Sequence, residues 1–91
     1  MRVARHYLIS GEVQGVGFRF FAQRVAAQHQ VTGYVRNLED GRVETLAEGT
    51  PEGIEGFKHD IAAGPQHARV EHVEEISVEP TGSYPQFRIE R

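Results

Sequence analysis

Three glycines fall within seven residues, Gly11-Glu12-Val13-Gln14-Gly15-Val16-Gly17, directly before a helical pattern that opens at Phe18 and carries Arg19. Gly15 and Gly17 admit backbone conformations closed to residues with a Cβ atom, so successive amides can turn inward as an anion-binding nest. The segment runs into a helix N-terminus, where free N–H groups and the helix dipole both favour negative charge. Arg19 follows in the first turn, close enough to reach the same point as a bidentate phosphate ligand. Together these features describe a cradle for one tetrahedral oxyanion. The same residues also fit a plain glycine-rich turn followed by a solvated arginine, and spacing alone leaves both readings standing. Two nucleotide sites are excluded. No Gly-Lys-Ser/Thr follows for a P-loop, and the glycines are not spaced as a dinucleotide fingerprint.

Other chemistries are poorly supplied. The chain has no cysteine, which removes disulfides, thiolate catalysis and cysteine metal sites. His6, His29, His59, His67 and His72 show no metal-ligand spacing, so neither a metal nor any other cofactor is expected. Asp40 precedes Gly41, where turn chemistry accounts for it, and Glu12 is expected to point to solvent because a carboxylate inside the loop would repel phosphate. A formal net charge of −3 runs against the footprint of a nucleic-acid binder. The N-terminus, interrupted by Arg5 and His6, is neither a signal peptide nor a membrane span. A cytoplasmic monomer, in contact with neither nucleic acid nor membrane, is the resulting expectation.

The elements that must position the loop follow from patterning. With 91 residues the chain is sized for one domain, residues 1–91. Val3–Ser10 reads as a strand. Phe18, Phe21, Ala22, Val25 and Ala26 share one face of a helix over Phe18–His29. Val31–Asn37 and Arg42–Glu48 alternate as a hairpin about Asp40-Gly41. Thr50, Pro51 and Glu52 mark a helix start, Ile54, Phe57 and Ile61 its buried stripe, and Gly64-Pro65 its end. In Ala68–Glu79 the apolar residues Val70, Val73, Ile76 and Val78 change parity midway, which predicts a β-bulge. Phe87 and Ile89 suggest a short last strand, and Phe18, Phe21 and Phe57 are expected in the core. The order β-α-β-β-α-β plus a final strand predicts an α+β, ferredoxin-like split βαβ sandwich, an antiparallel sheet with two helices on one face.

Against this background, the stretch from Gly11 to Arg19 resembles the acylphosphatase signature G-x-V-Q-G-V-x-F-R. A second block, Gly33-Tyr34-Val35-Arg36-Asn37-Leu38-Glu39-Asp40-Gly41-Arg42-Val43, is similar to that family's G-[aromatic]-V-x-N-x-x-D-G-x-V. Gly64-Pro65-Gln66-His67-Ala68-Arg69-Val70 is similar to a third, weaker element. The resemblance runs essentially the whole length and implies the ferredoxin-like fold reached above. It further implies that Arg19 binds the phosphoryl group and that Asn37 orients the attacking water. Backbone amides of Val13, Gln14, Gly15, Val16 and Gly17 would complete the cradle. The implied activity is metal-free hydrolysis of small-molecule acyl phosphates, with inorganic phosphate or a similar anion as product or inhibitor. Tyr34 replaces a common tryptophan and Leu38 a threonine found in some members, and neither touches the Arg19–Asn37 pair. The alternatives are a non-catalytic anion-binding or regulatory ferredoxin-like module, and an acylphosphatase-like part of a larger carbamoyl-transferring maturation factor.

Overall fold

The apolar stripes form the helices expected of them. The computed structural model describes all residues, Met1–Arg91. Helix α1 (Phe18–Gln28) buries Phe18, Ala22, Val25 and Ala26, while Phe21 stays half-buried and meets Phe18 edge-on at 5.9 Å between ring centroids. Helix α2 (Pro51–Ala63) starts where its cap is strongest: the Thr50 hydroxyl accepts from the Gly53 amide at 3.0 Å, with Pro51 next and Glu52 in the first turn. Two glycines weaken this helix intrinsically, so the burial of Ile54, Phe57 and Ile61 must hold it.

Five strands, β1 (Val3–Glu12), β2 (Thr32–Asn37), β3 (Val43–Gly49), β4 (Arg69–Val78) and β5 (Phe87–Glu90), form one sheet in the order β4-β1-β3-β2-β5. One face of the sheet meets the helices in a core centred on Tyr7, Ile9, Val35, Val43 and Phe57. The four longer strands pair antiparallel with one another, as patterning predicts, and make the ferredoxin-like α+β sandwich. The fifth strand makes the sheet mixed, because β5 pairs parallel to β2. The cause is the connection 79–86, which crosses the outer face of the sheet. Thr81 donates from its amide (3.2 Å) and hydroxyl (3.0 Å), and Gly82 from its amide (3.1 Å), to the buried carboxylate of Glu48. Tyr84 then rests against Tyr34. Burial would raise the Glu48 pKa, but these hydrogen bonds outweigh it and hold the carboxyl below its ordinary value. Crossing the sheet without running back along the strands, the chain enters β5 in the direction of β2.

The predicted bulge is present and accounts for part of the parity change. Ser10 pairs with His72 and Gly11 with Val70, leaving Glu71 as the extra residue. Gly11 is required there: its φ is 127°, and a Cβ would collide with the Arg69 carbonyl. The bulge turns Val70 and Val73 toward the core. Ile76 and Val78 instead face outward, 45% and 38% exposed. No helix is long and apolar enough to cross a membrane.

Candidate active site

From the pairing directions, β1, β2 and β5 all run the same way, so their carboxyl ends lie at one end of the sheet. The loop Val13–Gly17 leaves β1 at that end and delivers the chain to the N-terminus of α1. Gly15 (φ 74°) and Gly17 (φ 76°) are both left-handed, and open space surrounds the place where a Cβ would stand. Their glycine identity therefore serves backbone conformation rather than packing, as an amide nest requires. Among the backbone hydrogen bonds outside helices and strands, none is donated by Val13 through Gly17. The first turn of α1 contains no acidic residue to offset the positive end of its dipole.

Asn37 reaches the same place by strand parity. In β2 the buried residues Gly33 and Val35 face the helices, and two residues on Asn37 continues that face at the strand's end. It pairs with Val43, which pairs across β3 with Ile9 of β1, so a buried row of apolar residues supports it from below. Val13, Gly15, Gly17, Phe18, Arg19, Phe20 and Asn37 line a cavity of about 140 Å³. That is well below the roughly 300–1,000 Å³ of sites for drug-sized ligands and suits a small oxyanion.

The charges around the cavity are arranged in a consistent way. Three acidic residues flanking the site on these elements, Glu12, Asp40 and Glu90, are each tied to an arginine, while Glu39, two residues after Asn37, is exposed to solvent. Glu12 pairs with Arg69 at 3.3 Å, Asp40 with Arg42 at 2.9 Å and Glu90 with Arg88 at 2.8 Å. Arg19 has no carboxylate within ion-pair distance. Its only protein hydrogen bond is a long one, 3.4 Å, to the Glu90 carbonyl. A half-buried guanidinium without a protein anion is available to an external one. Asp40 is used by the hairpin, where it accepts from the Arg42 amide and side chain, and those bonds hold its pKa below the ordinary value. No three His, Asp or Glu side chains come together in a metal-binding cluster. His6 faces Glu44 and His29 faces Asp60 instead.

Of the seven residues singled out in the sequence, five line the cavity. Val16 packs in part against the core, and the Gln14 side chain turns away to a separate task. Its amide donates to the carbonyls of Leu38 (2.8 Å) and Arg42 (2.9 Å), at the two ends of the hairpin that follows Asn37. Gln14 thus pins the glycine loop to the strand end bearing Asn37. Nothing in its spacing announces a partner 24 residues away. Replacing Gln14 with leucine should lower kcat about 10–100-fold, since a misplacement of about 1 Å can cost that much. Inhibition by inorganic phosphate should change far less, because Arg19 and the loop amides remain. Steady-state kinetics with phosphate as inhibitor checks both, and equal losses would assign Gln14 to the cradle itself.

Residues 5–89 match the family model for acylphosphatase. The chain belongs to the acylphosphatase family. An acylphosphatase of Caldanaerobacter subterraneus subsp. tengcongensis is 45% identical over 89 residues, spanning 98% of this chain and 99% of that relative. The crystal structure of acylphosphatase from Bacillus subtilis matches with a TM-score of 0.94 and 31% identity, covering 98% of this chain and 99% of that one. HypF of T. kodakarensis matches with a TM-score of 0.86 and 38% identity over 98% of this chain, which amounts to 12% of HypF. Family, relatives and fold agree on an acylphosphatase hydrolase with a small-molecule acyl phosphate as substrate.

Proposed function

We propose that Arg19 and the amides of Val13–Gly17 hold the phosphoryl group of the acyl phosphate while Asn37 aims a water at phosphorus, with no metal taking part. The observation that carries this reading is the convergence of an unpaired guanidinium, a left-handed glycine loop and an amide side chain on one small cavity.

The substrate makes a two-residue mechanism sufficient. Its leaving group is a carboxylate whose conjugate acid has a pKa of about 4–5, like a glutamate side chain, so it departs without a general acid. Phosphoryl transfer passes through a loose transition state in which positioning and charge stabilisation supply most of the rate. Arg19 and the loop amides offer N–H donors to the non-bridging oxygens as charge shifts. The Asn37 amide accepts no proton near neutral pH, but its carbonyl oxygen can accept a hydrogen bond from water and hold it in line. The water oxygen bonds to phosphorus, the bond from phosphorus to the acyl oxygen breaks, and the carboxylate leaves with that electron pair. The water's proton goes to a phosphate oxygen of the substrate. Inorganic phosphate then occupies the same cradle and should compete with substrate.

On this reading residues 1–91 act as a single acylphosphatase-like domain, a monomer with its site built from one chain. A cysteine-free chain of this kind fits the cytoplasm. Hydrolysis in ¹⁸O-labelled water tests the bond that breaks. Label in inorganic phosphate, with unlabelled carboxylate, is the expected result. Label in the carboxylate would place the attack at carbon and overturn the role given to Asn37.

A further inference from the structure

We propose that Phe20 and Ile89 form an acyl-side subsite that favours acyl phosphates carrying a flat apolar acyl group; the inference rests on the phosphoryl group lying against Arg19 as above. Phe20 is 70% exposed, the most exposed large hydrophobic residue after Met1. It stands off the buried stripe of α1, so the packing of that helix has no use for it. An aromatic ring left in water retains most of the 150–250 Å² that such a side chain can bury, available to a ligand.

Its position gives that surface a specific use. Arg19 and Phe20 form a shared wall between the phosphate cavity and an adjoining one of about 330 Å³, whose other lining residues are Ile89 and Arg91. Asn37 lines the first cavity and is absent from the second. In an in-line displacement the leaving group departs opposite the attacking water. A water held at Asn37 therefore sends the acyl group away from Asn37, along Phe20 and toward Ile89. The side chains that line the second cavity are two apolar groups and two guanidinium groups, with no acidic side chain to oppose the carboxylate that forms there. Phe20 offers a planar face and Ile89 an apolar wall, which a benzoyl group can cover and an acetyl group is too small to reach fully.

The test is the ratio of kcat/KM for benzoyl phosphate to that for acetyl phosphate, which cancels any change common to both substrates. In Phe20→Ala the ratio should fall about 5–10-fold relative to the native chain, the worth of one aromatic contact. It should hold in Phe20→Trp, which keeps the ring, and in Ile76→Thr, which changes an exposed apolar residue on the opposite face of the sheet. Phe20 is too exposed for its truncation to threaten folding, and circular dichroism verifies this. An unchanged ratio in Phe20→Ala, whether both activities hold or fall together, would overturn the subsite. Failure of the folded native chain to hydrolyse either substrate would overturn the phosphate reading, and the subsite with it.

Discussion

Asn37→Ala is expected to lower kcat by about 10²–10³-fold, the range seen when one fixed polar group is removed from a transition state. The loss should fall mainly on kcat. In the proposed mechanism Arg19 and the glycine loop hold the ground-state phosphate, and neither depends on the Asn37 side chain for its place. Asn37 ends β2 on the helix-facing side, above the buried pair Val35 and Val43, and makes no side-chain hydrogen bond within the protein. Its truncation leaves no partner stranded, so stability should change little. Asn37→Asp is a sharper variant. A carboxylate can still accept from water, yet it adds negative charge beside the phosphate, and KM should rise as well. Steady-state kinetics of the two variants, with thermal melts as a control, separates positioning of water from binding of substrate.

Arg19→Ala should be the more damaging change, roughly 10³-fold or more in kcat/KM, the scale of an arginine that stabilises a transferring phosphoryl group. This corresponds to about 4 kcal/mol or more of transition-state stabilisation. Both kcat and KM should suffer, because in the proposed mechanism the guanidinium meets the phosphate in the ground state and meets it more strongly as charge shifts. Inhibition by inorganic phosphate should weaken in parallel. Arg19→Lys should recover little of this: an ammonium supplies a point charge, and two parallel N–H groups are what the non-bridging oxygens require. The fold should tolerate both variants, since Arg19 contributes one long bond to the Glu90 carbonyl.

Most of what positions these two residues is legible in the sequence, because it is local. The stripe of α1, the Thr50-Pro51 start of α2 and the alternation of β2 and β3 all depend on spacing within one element, and the structure repeats them within a residue or two. The glycine loop is legible for the same reason. Left-handed conformation at Gly15 and Gly17 is a property of the residue type, and the adjoining helix N-terminus needs no distant partner. Asn37 is different. Parity places it on the helix-facing side of β2, but only the family's second signature suggests a task for it.

What escapes the sequence is carried by distant partners. The bulge at Glu71 follows from Val70 and Val73, yet the same pattern cannot say that Ile76 and Val78 turn outward, because that depends on how little covers the outer face at the β4 edge. The parallel pairing of β5 depends on the path of residues 79–86, and that path is held by Glu48. In the sequence this residue is one of two glutamates in an alternating strand, with no mark of its burial. Gln14 reads as one more residue of the glycine loop until its amide is seen bonded to Leu38 and Arg42. Hydrophobic alternation reports which face a residue takes and is silent about polar side chains that bridge elements.

On the proposed mechanism one guanidinium, one side-chain amide and a backbone nest hydrolyse an acyl phosphate without a metal. The decisive experiment is turnover of benzoyl phosphate in excess chelator by the native chain, Arg19→Ala and Asn37→Ala. Native turnover should be undiminished by the chelator and should fall by at least two orders of magnitude in each folded variant. Loss of native activity on chelation would require a metal, and near-native rates in either variant would remove that residue from the mechanism.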